Sequence, residues 1–286
     1  MGKQCKTNGC YISINCLEHM KLSIITINYN NKDGLQKTID SVICQTWKDY
    51  EWIIIDGGST DGSKELIEQY QQHFAYWCSE PDGGVYNAMN KGIARAKGDY
   101  LLFLNSGDAL YDENVLQTID DIHSSADIIT GQAIRMDTNE LLRQYDKNLL
   151  MQLYLDTLNH QATFIKRELF KDTCYDESLK IVSDWKFWLE AILWKRASVD
   201  VVDVIVTKQD MNGISGGNIV QNVTLQQWER EKVIDEIIPK ALKDVLQRAV
   251  AKEGSAYYRY GEQLCRKSPI LYSIGYHILK YLSKLA

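Results

Sequence analysis

From position 20 the chain alternates short apolar runs with segments whose apolar residues recur every three or four positions. "KLSIITINYN" is rich in isoleucine and ends in polar Asn28, Tyr29 and Asn30, the pattern of a buried parallel strand opening into a loop. "GLQKTIDSVICQT" then places Leu35, Ile39, Val42 and Ile43 on one helical face. "YEWIIIDGGSTDGS" repeats the strand and loop, and "DGSKELIEQYQQ" reads as a helix whose acidic start suits the positive end of the helix dipole. "FAYWCSEPDGG" and "YLLFLNSGD" are two further strands. Between them "VYNAMNKGIARAKG" spaces Val85, Ala88, Met89 and Ile93 as a helix does and stops at Gly98.

Alternating strands and helices imply an α/β fold with a mainly parallel sheet covered on both faces. Ligands of such sheets bind at the carboxyl ends of the strands. Asp56, Asp82 and Asp108 each follow a strand and are therefore expected on one edge, around one site. Beyond Asp108 the pattern is less regular. "ADIITGQAIRM" and "ASVDVVDVIVTKQD" read as strands, "LNHQATFIKRELF" as a strand and a helical turn, and "SDWKFWLEAILWK" as a helix with a wide aromatic face. Residues 219 to 252 look like charged amphipathic helices, followed by a tyrosine-rich helical tail broken at Pro269.

Composition narrows the function classes. The 286 residues can bury a substantial core, and a net charge of −6 gives no general reason to expect a nucleic-acid partner. With three prolines and no low-complexity run, no long disordered linker is expected. The seven cysteines are odd in number and scattered, which points to a reducing compartment rather than a disulfide framework. Cys5, Cys10 and Cys16 lack the C-x-x-C spacing that zinc sites favour. Residues 1–19 are interrupted by Lys3, Lys6, Glu18 and His19, unlike a signal peptide, and are expected to be a poorly ordered extension.

Taken singly, an aspartate after a strand is a common turn or cap residue. The succession "INYNN", "IIIDGGSTDGS", "SEPDGGVYNAMNKGI" and "LLFLNSGD", each after a strand, resembles the inverting nucleotide-sugar glycosyltransferases of family two, of the bacterial polysaccharide-biosynthesis type. The resemblance covers roughly residues 20 to 210. It implies a GT-A fold, a Rossmann-like mainly parallel sheet flanked by helices, here with a helical C-terminal extension. The implied division is an extension at 1–19, a catalytic domain at 20–215 and a helical region at 216–286.

The resemblance also implies roles. A diphosphate leaving group needs a divalent cation or cationic side chains to take up its developing charge. The family's metal motif falls on "NSGD", where Asn105 and Gly107 replace acids and Asp108 remains as the ligand for Mg²⁺ or Mn²⁺. Ile27, Asn28 and Tyr29 would flank the nucleoside and Asp56 would bind it; Gly57 stands where a second acid is common. Asp82 would line the donor cleft near the sugar. Lys91 is either a phosphate partner or a solvated lysine. "YDESLKIVSDWKFWL" resembles the region of the catalytic base, with Ser183 where an acid is often found and Asp184 as the base; the plainer reading of Asp184 is a first-turn helix aspartate. Trp185 is a stacking candidate for the acceptor or a core residue, and His160, in a His-Gln pair, an acceptor contact or a core histidine.

The function so implied is transfer of a sugar from a nucleoside-diphosphate (NDP) sugar to a glycan or polyprenyl-linked acceptor in the cytoplasm. A noncatalytic nucleotide-sugar or glycan binding protein of the same fold is the alternative. No G-x-G-x-x-G follows the first strand, and no nucleophile elbow accompanies the histidine, so an oxidoreductase and a triad hydrolase find little support. The tail "SPILYSIGYHILKYLSKLA" is too interrupted to span a membrane; it would lie at the inner membrane face, pack on the domain or pair subunits.

Overall fold

β1 (Leu22–Asn28), β2 (Tyr50–Asp56), β3 (Tyr76–Ser79) and β4 (Tyr100–Phe103) are parallel neighbours in the order β3-β2-β1-β4. The helices α1 (Lys32–Ile43), α2 (Ser63–Tyr70) and α3 (Val85–Arg95) make the crossovers between them. Asn31 caps α1 by accepting the Gly34 N–H at 3.2 Å. The computed structural model describes residues 20–142, 149–211 and 219–248. The extension 1–19, with Cys5, Cys10 and Cys16, and the tail 268–286 lie outside the described residues.

The second half completes the sheet. After β5 (Ala109–Leu110) come α4 (Val115–Asp121), β6 (Ile128–Arg135), α5 (Leu149–Leu155), β7 (Thr163–Lys166), α6 (Ser183–Leu189), β8 (Val199–Gln209) and α7 (Ile219–Ile237). The order continues β4-β7-β6-β8-β5, with β7 antiparallel to both its neighbours and β5 antiparallel to β8. The sheet is thus mixed, with its parallel half on the side that reads regularly in sequence.

The period of two along the strands divides the core. Ile24, Ile54 and Leu102 face Leu35 and Ile39 of α1, while Ile25, Ile53 and Phe103 face Met89 and Ile93 of α3. The second layer continues into an aromatic cluster in which Phe170 and Phe187 stack at 4.3 Å and Tyr175 meets both rings edge-on. Val233 and Ile237 of α7 belong to this same layer. Cys44, Cys78 and Cys174 are free thiols. Among the described residues, no helix is long and apolar enough to cross a membrane.

Phe187 is 2% exposed and lies on the helix that carries Asp184. Phe187→Ala should lower the unfolding free energy by about 3–5 kcal/mol, as large-to-small changes in a core do. Urea titration followed by tryptophan fluorescence measures this; a loss below about 1 kcal/mol would show that the cluster does not anchor α6.

Candidate active site

Because β1 to β4 run parallel, the loops at their carboxyl ends share one edge, and Asp56, Asp82 and Asp108 all emerge there. Asp56 is fully buried beside Asn28. Burial by itself raises its pKa. Bonds from the Ser59 hydroxyl (2.5 Å), the Ser79 hydroxyl (2.6 Å), the Ser59 N–H (2.9 Å) and the Asn28 amide (2.7 Å) outweigh that and hold the carboxyl below its ordinary range. Asn28 Oδ1 is buried and accepts no hydrogen bond within the described structure. Ile27 is buried beneath, and the Tyr29 ring is 67% exposed at the cleft.

Asp82 lies in the loop after β3, where its Oδ1 accepts the Gly84 N–H at 2.8 Å. A Cβ on Gly57 would stand 2.8 Å from Asp82 Oδ2 and 3.1 Å from the Tyr29 ring. A side chain after Asp56 would therefore have to displace the end of the Asp82 side chain. Lys91 is bound to Glu80 at 2.9 Å, and so braces the loop that carries Asp82.

The loop after β4 is tied down by Thr38 of α1, whose hydroxyl donates to the Asp108 carbonyl at 2.7 Å and accepts the Gly107 N–H at 3.1 Å. Gly107 has φ +105°, a left-handed conformation that strains any side chain, so the turn itself excludes an acid at this place in "NSGD". Asp108 is 5% exposed, and its Oδ1 accepts the Asp210 N–H at 3.0 Å. Burial, with the nearby Asp210 charge adding to it, pushes Asp108 up to about 7 against the bond from Asp210 N–H and the influence of His160.

Opposite this loop, the turn before β7 and the start of α6 bring His160 and Asp184 together. His160 Nδ1 lies 2.9 Å from Asp184 Oδ2, and its Nε2 lies 3.2 Å from the Asn105 amide nitrogen. Asp184 Oδ1 accepts the Trp185 N–H at 2.8 Å and faces the Tyr86 hydroxyl at 3.1 Å. Burial raises the Asp184 pKa, but the His160 bond and charge, the Trp185 N–H and the Tyr86 hydroxyl together bring it below the ordinary value. In this arrangement Nδ1–H donates to Asp184, and the neutral ring would accept from the Asn105 amide at Nε2. Asn105 Oδ1, buried without a partner, would face an Nε2–H if the amide turned, so the same chain also accommodates the imidazolium.

Trp185 is placed in the core rather than at the cleft: it is 1% exposed, its Nε1 donates to the Leu153 carbonyl at 2.6 Å, and Arg230 covers its ring at 3.9 Å. No face of it is open to an acceptor. Sequence reading did not single out Thr38, Tyr86 or Asp210. Their residue types are common, and only the folded chain brings them to this edge.

A parallel α/β sheet whose carboxyl edge carries buried carboxylates and unfilled amide acceptors places a ligand crevice there. Residues 23–179 match glycosyl transferase family 2, and the chain belongs to that family. An uncharacterized glycosyltransferase of Mycobacterium tuberculosis is 37% identical over 180 residues, covering 60% of this chain and 69% of that protein. A PGL/p-HBAD biosynthesis glycosyltransferase of Mycobacterium bovis is 32% identical over 173 residues, covering 58% and 67%. The fold is GT-A. Staphylococcus aureus TarS 1–349 in complex with UDP-GlcNAc superposes with a TM-score of 0.62 at 20% identity, over 79% of this chain and 70% of that one. The mannosyltransferase PcManGT of Pyrobaculum calidifontis, in complex with GDP-Man and Mn²⁺, superposes with a TM-score of 0.59 at 13% identity, over 93% and 85%. The protein is thus a glycosyltransferase.

The raised Asp108 pKa has a stability consequence for the protein in EDTA. Between 3.8 and about 7 the folded state keeps a proton that the unfolded chain has released. Its contribution is complete below the unfolded value and lost as pH rises to the folded one. Denaturation midpoints should therefore fall over that window in wild type, and Asp108→Asn should flatten the fall. Identical pH profiles for the two proteins would contradict the assignment.

Proposed function

We propose that the enzyme transfers its sugar with inversion to a hydroxyl of a glycan or lipid-linked glycan, with Asp184 as general base. The observation that carries this reading is the Asn105–His160–Asp184 chain, which spans from the loop bearing Asp108 to the start of α6. It supports a site in which the leaving-group end and the base end are held in one frame.

The nucleoside would lie along Ile27, Asn28 and Tyr29, with Asp56 accepting its hydrogen bonds and Asn28 Oδ1 as a further acceptor. Asp82 and Asn105 would flank the sugar and diphosphate, and Lys91 would act by fixing the Asp82 loop. The acceptor oxygen attacks the anomeric carbon from the face opposite the nucleotide. As that bond forms, the bond to the diphosphate oxygen breaks and its electron pair leaves with the nucleotide, which inverts the centre. The acceptor's proton passes to Asp184, whose Oδ2 has a second lone-pair site beyond the His160 bond. The low pKa keeps this carboxylate ionised at working pH, and His160 keeps it aimed.

Among the described residues, no group of three His, Cys, Asp or Glu side chains comes together as a metal site. Asp108 and the unpartnered Asn105 Oδ1 fit Mg²⁺ or Mn²⁺ if the donor's phosphate oxygens and water complete the shell, as is usual for magnesium. Bound there, the ion would neutralise charge on the departing diphosphate. Any contact of the tail with a membrane or a second subunit falls on residues outside those described.

A panel of UDP-, GDP- and dTDP-sugars, read by released nucleotide, tests the reading. With the donor that turns over, Asp184→Asn should lower transfer by about 10²- to 10⁴-fold, the usual contribution of a general base, with UDP or GDP affinity little changed. Asparagine keeps an oxygen to accept the Trp185 N–H, so near-wild-type transfer by a folded variant would rule the base out. Asp108→Ala should weaken nucleotide binding far more with Mn²⁺ present than in EDTA. Equal affinities in all conditions would reduce "NSGD" to a turn.

A further inference from the structure

Glu229 on α7 is 1% exposed, an uncommon position for a glutamate. Its carboxylate accepts three consecutive backbone N–H groups, from Lys180 (2.6 Å), Ile181 (3.0 Å) and Val182 (3.2 Å). These residues lead directly into α6. The cap residue of α6, Val182, has no side chain to satisfy the free N–H groups at a helix start, and the Ser183 hydroxyl is buried without a partner. Glu229 instead fixes, from a distant helix, the three residues that lead into α6.

The next residue grips the other side of the same segment. The Arg230 guanidinium lies 3.9 Å over the Trp185 ring and donates to the carbonyls of Tyr154 (3.0 Å) and Asp156 (3.3 Å), at the end of α5 on the way to His160. Tyr86 adds a third hold, donating to the Ile181 carbonyl at 2.7 Å while facing Asp184. Two adjacent residues of α7 therefore hold the backbone before Asp184, the ring after it and the approach to His160. All of α7 lies beyond the segment that matches the family, residues 23–179.

We propose that Glu229 is a positioning residue for sugar transfer: by binding the backbone of 180–182 it sets the start of α6, and with it the meeting of Asp184 and His160. The kinetic consequence rests on Asp184 being the base; the geometric one does not. Glu229→Ala removes all three acceptor contacts, whereas Glu229→Gln keeps one oxygen and turns an N–H donor toward backbone donors.

The test uses the full chain, with Asp184→Asn as control and the downfield proton resonance of His160 Nδ1–H as a direct reading of the pair. UDP and GDP affinities are measured by calorimetry, and kcat with the nucleotide sugar that turns over. In Glu229→Ala the resonance should shift or vanish, and kcat should drop about 10- to 100-fold, the scale of an ångström-sized misplacement. UDP and GDP affinity should stay within about twofold of wild type, because the Glu229 bonds run to residues 180–182 and not to the β1–β2 edge where the nucleoside reading places them. Glu229→Gln should fall between, and it becomes the deciding variant should the alanine protein not fold. An unchanged resonance overturns the proposal whatever the rate does, as does a loss of nucleotide affinity in step with kcat. If the resonance moves but kcat stays at wild type, in this variant and in Asp184→Asn alike, the geometric role stands and the base reading fails.

Discussion

The hydrogen bond between the His160 ring and the Asp184 carboxylate, 2.9 Å long and largely shielded from water, joins parts of the molecule that nothing local would bring together. One end sits in the turn before β7, the antiparallel strand inserted beside β4; the other sits in the first turn of α6, above the aromatic cluster. A carboxylate this deep is tolerable only with its oxygens occupied, because leaving a buried charge without a partner costs about 3–5 kcal/mol. The Tyr86 hydroxyl and the Trp185 N–H serve the other oxygen, so α3, α6 and the turn before β7 are held in register by one side chain.

The same constraint is met differently along the sheet edge. Asp56 gathers donors from three neighbouring segments and stays a strong acid despite complete burial. Asp108 has the Asp210 backbone N–H, but burial outweighs it and, with the Asp210 charge adding a little, its pKa rises to about 7. Glu229 takes backbone donors alone. Asp56 and Asp108 thus contrast in proton affinity at one sheet edge, set by what each meets after water is removed.

The packing of α7 extends this argument to the C-terminal region. Val233 and Ile237 are part of the layer that contains Phe187 and Trp188, so the helix is an integral wall of the core and not an appendage. Glu229 and Arg230 put polar contacts at the end of that wall nearest Asp184. The apolar contacts bring α7 to the surface of α6, and the polar ones determine its register there.

Much of the architecture was legible in the chain itself. The isoleucine-rich runs, their polar ends and the helical spacing between them located β1 to β4 and α1 to α3, and with them the common edge for Asp56, Asp82 and Asp108. These features depend on backbone periodicity and on which side chains favour water, both of which are local. The mixed half of the sheet was not legible, because a strand's direction relative to its neighbour leaves no mark on its own apolar pattern. Gly107 looked like a missing acid until the left-handed turn gave it a conformational reason. Trp185, equally suited by type to stacking on a sugar or filling a core, was settled by Leu153 and Arg230. The pairing of His160 with Asp184, and the hold of Glu229 on residues 180–182, join positions 24 and about 50 residues apart. Contacts of that kind arise from the path of the chain through the core, and only the tertiary structure decided them.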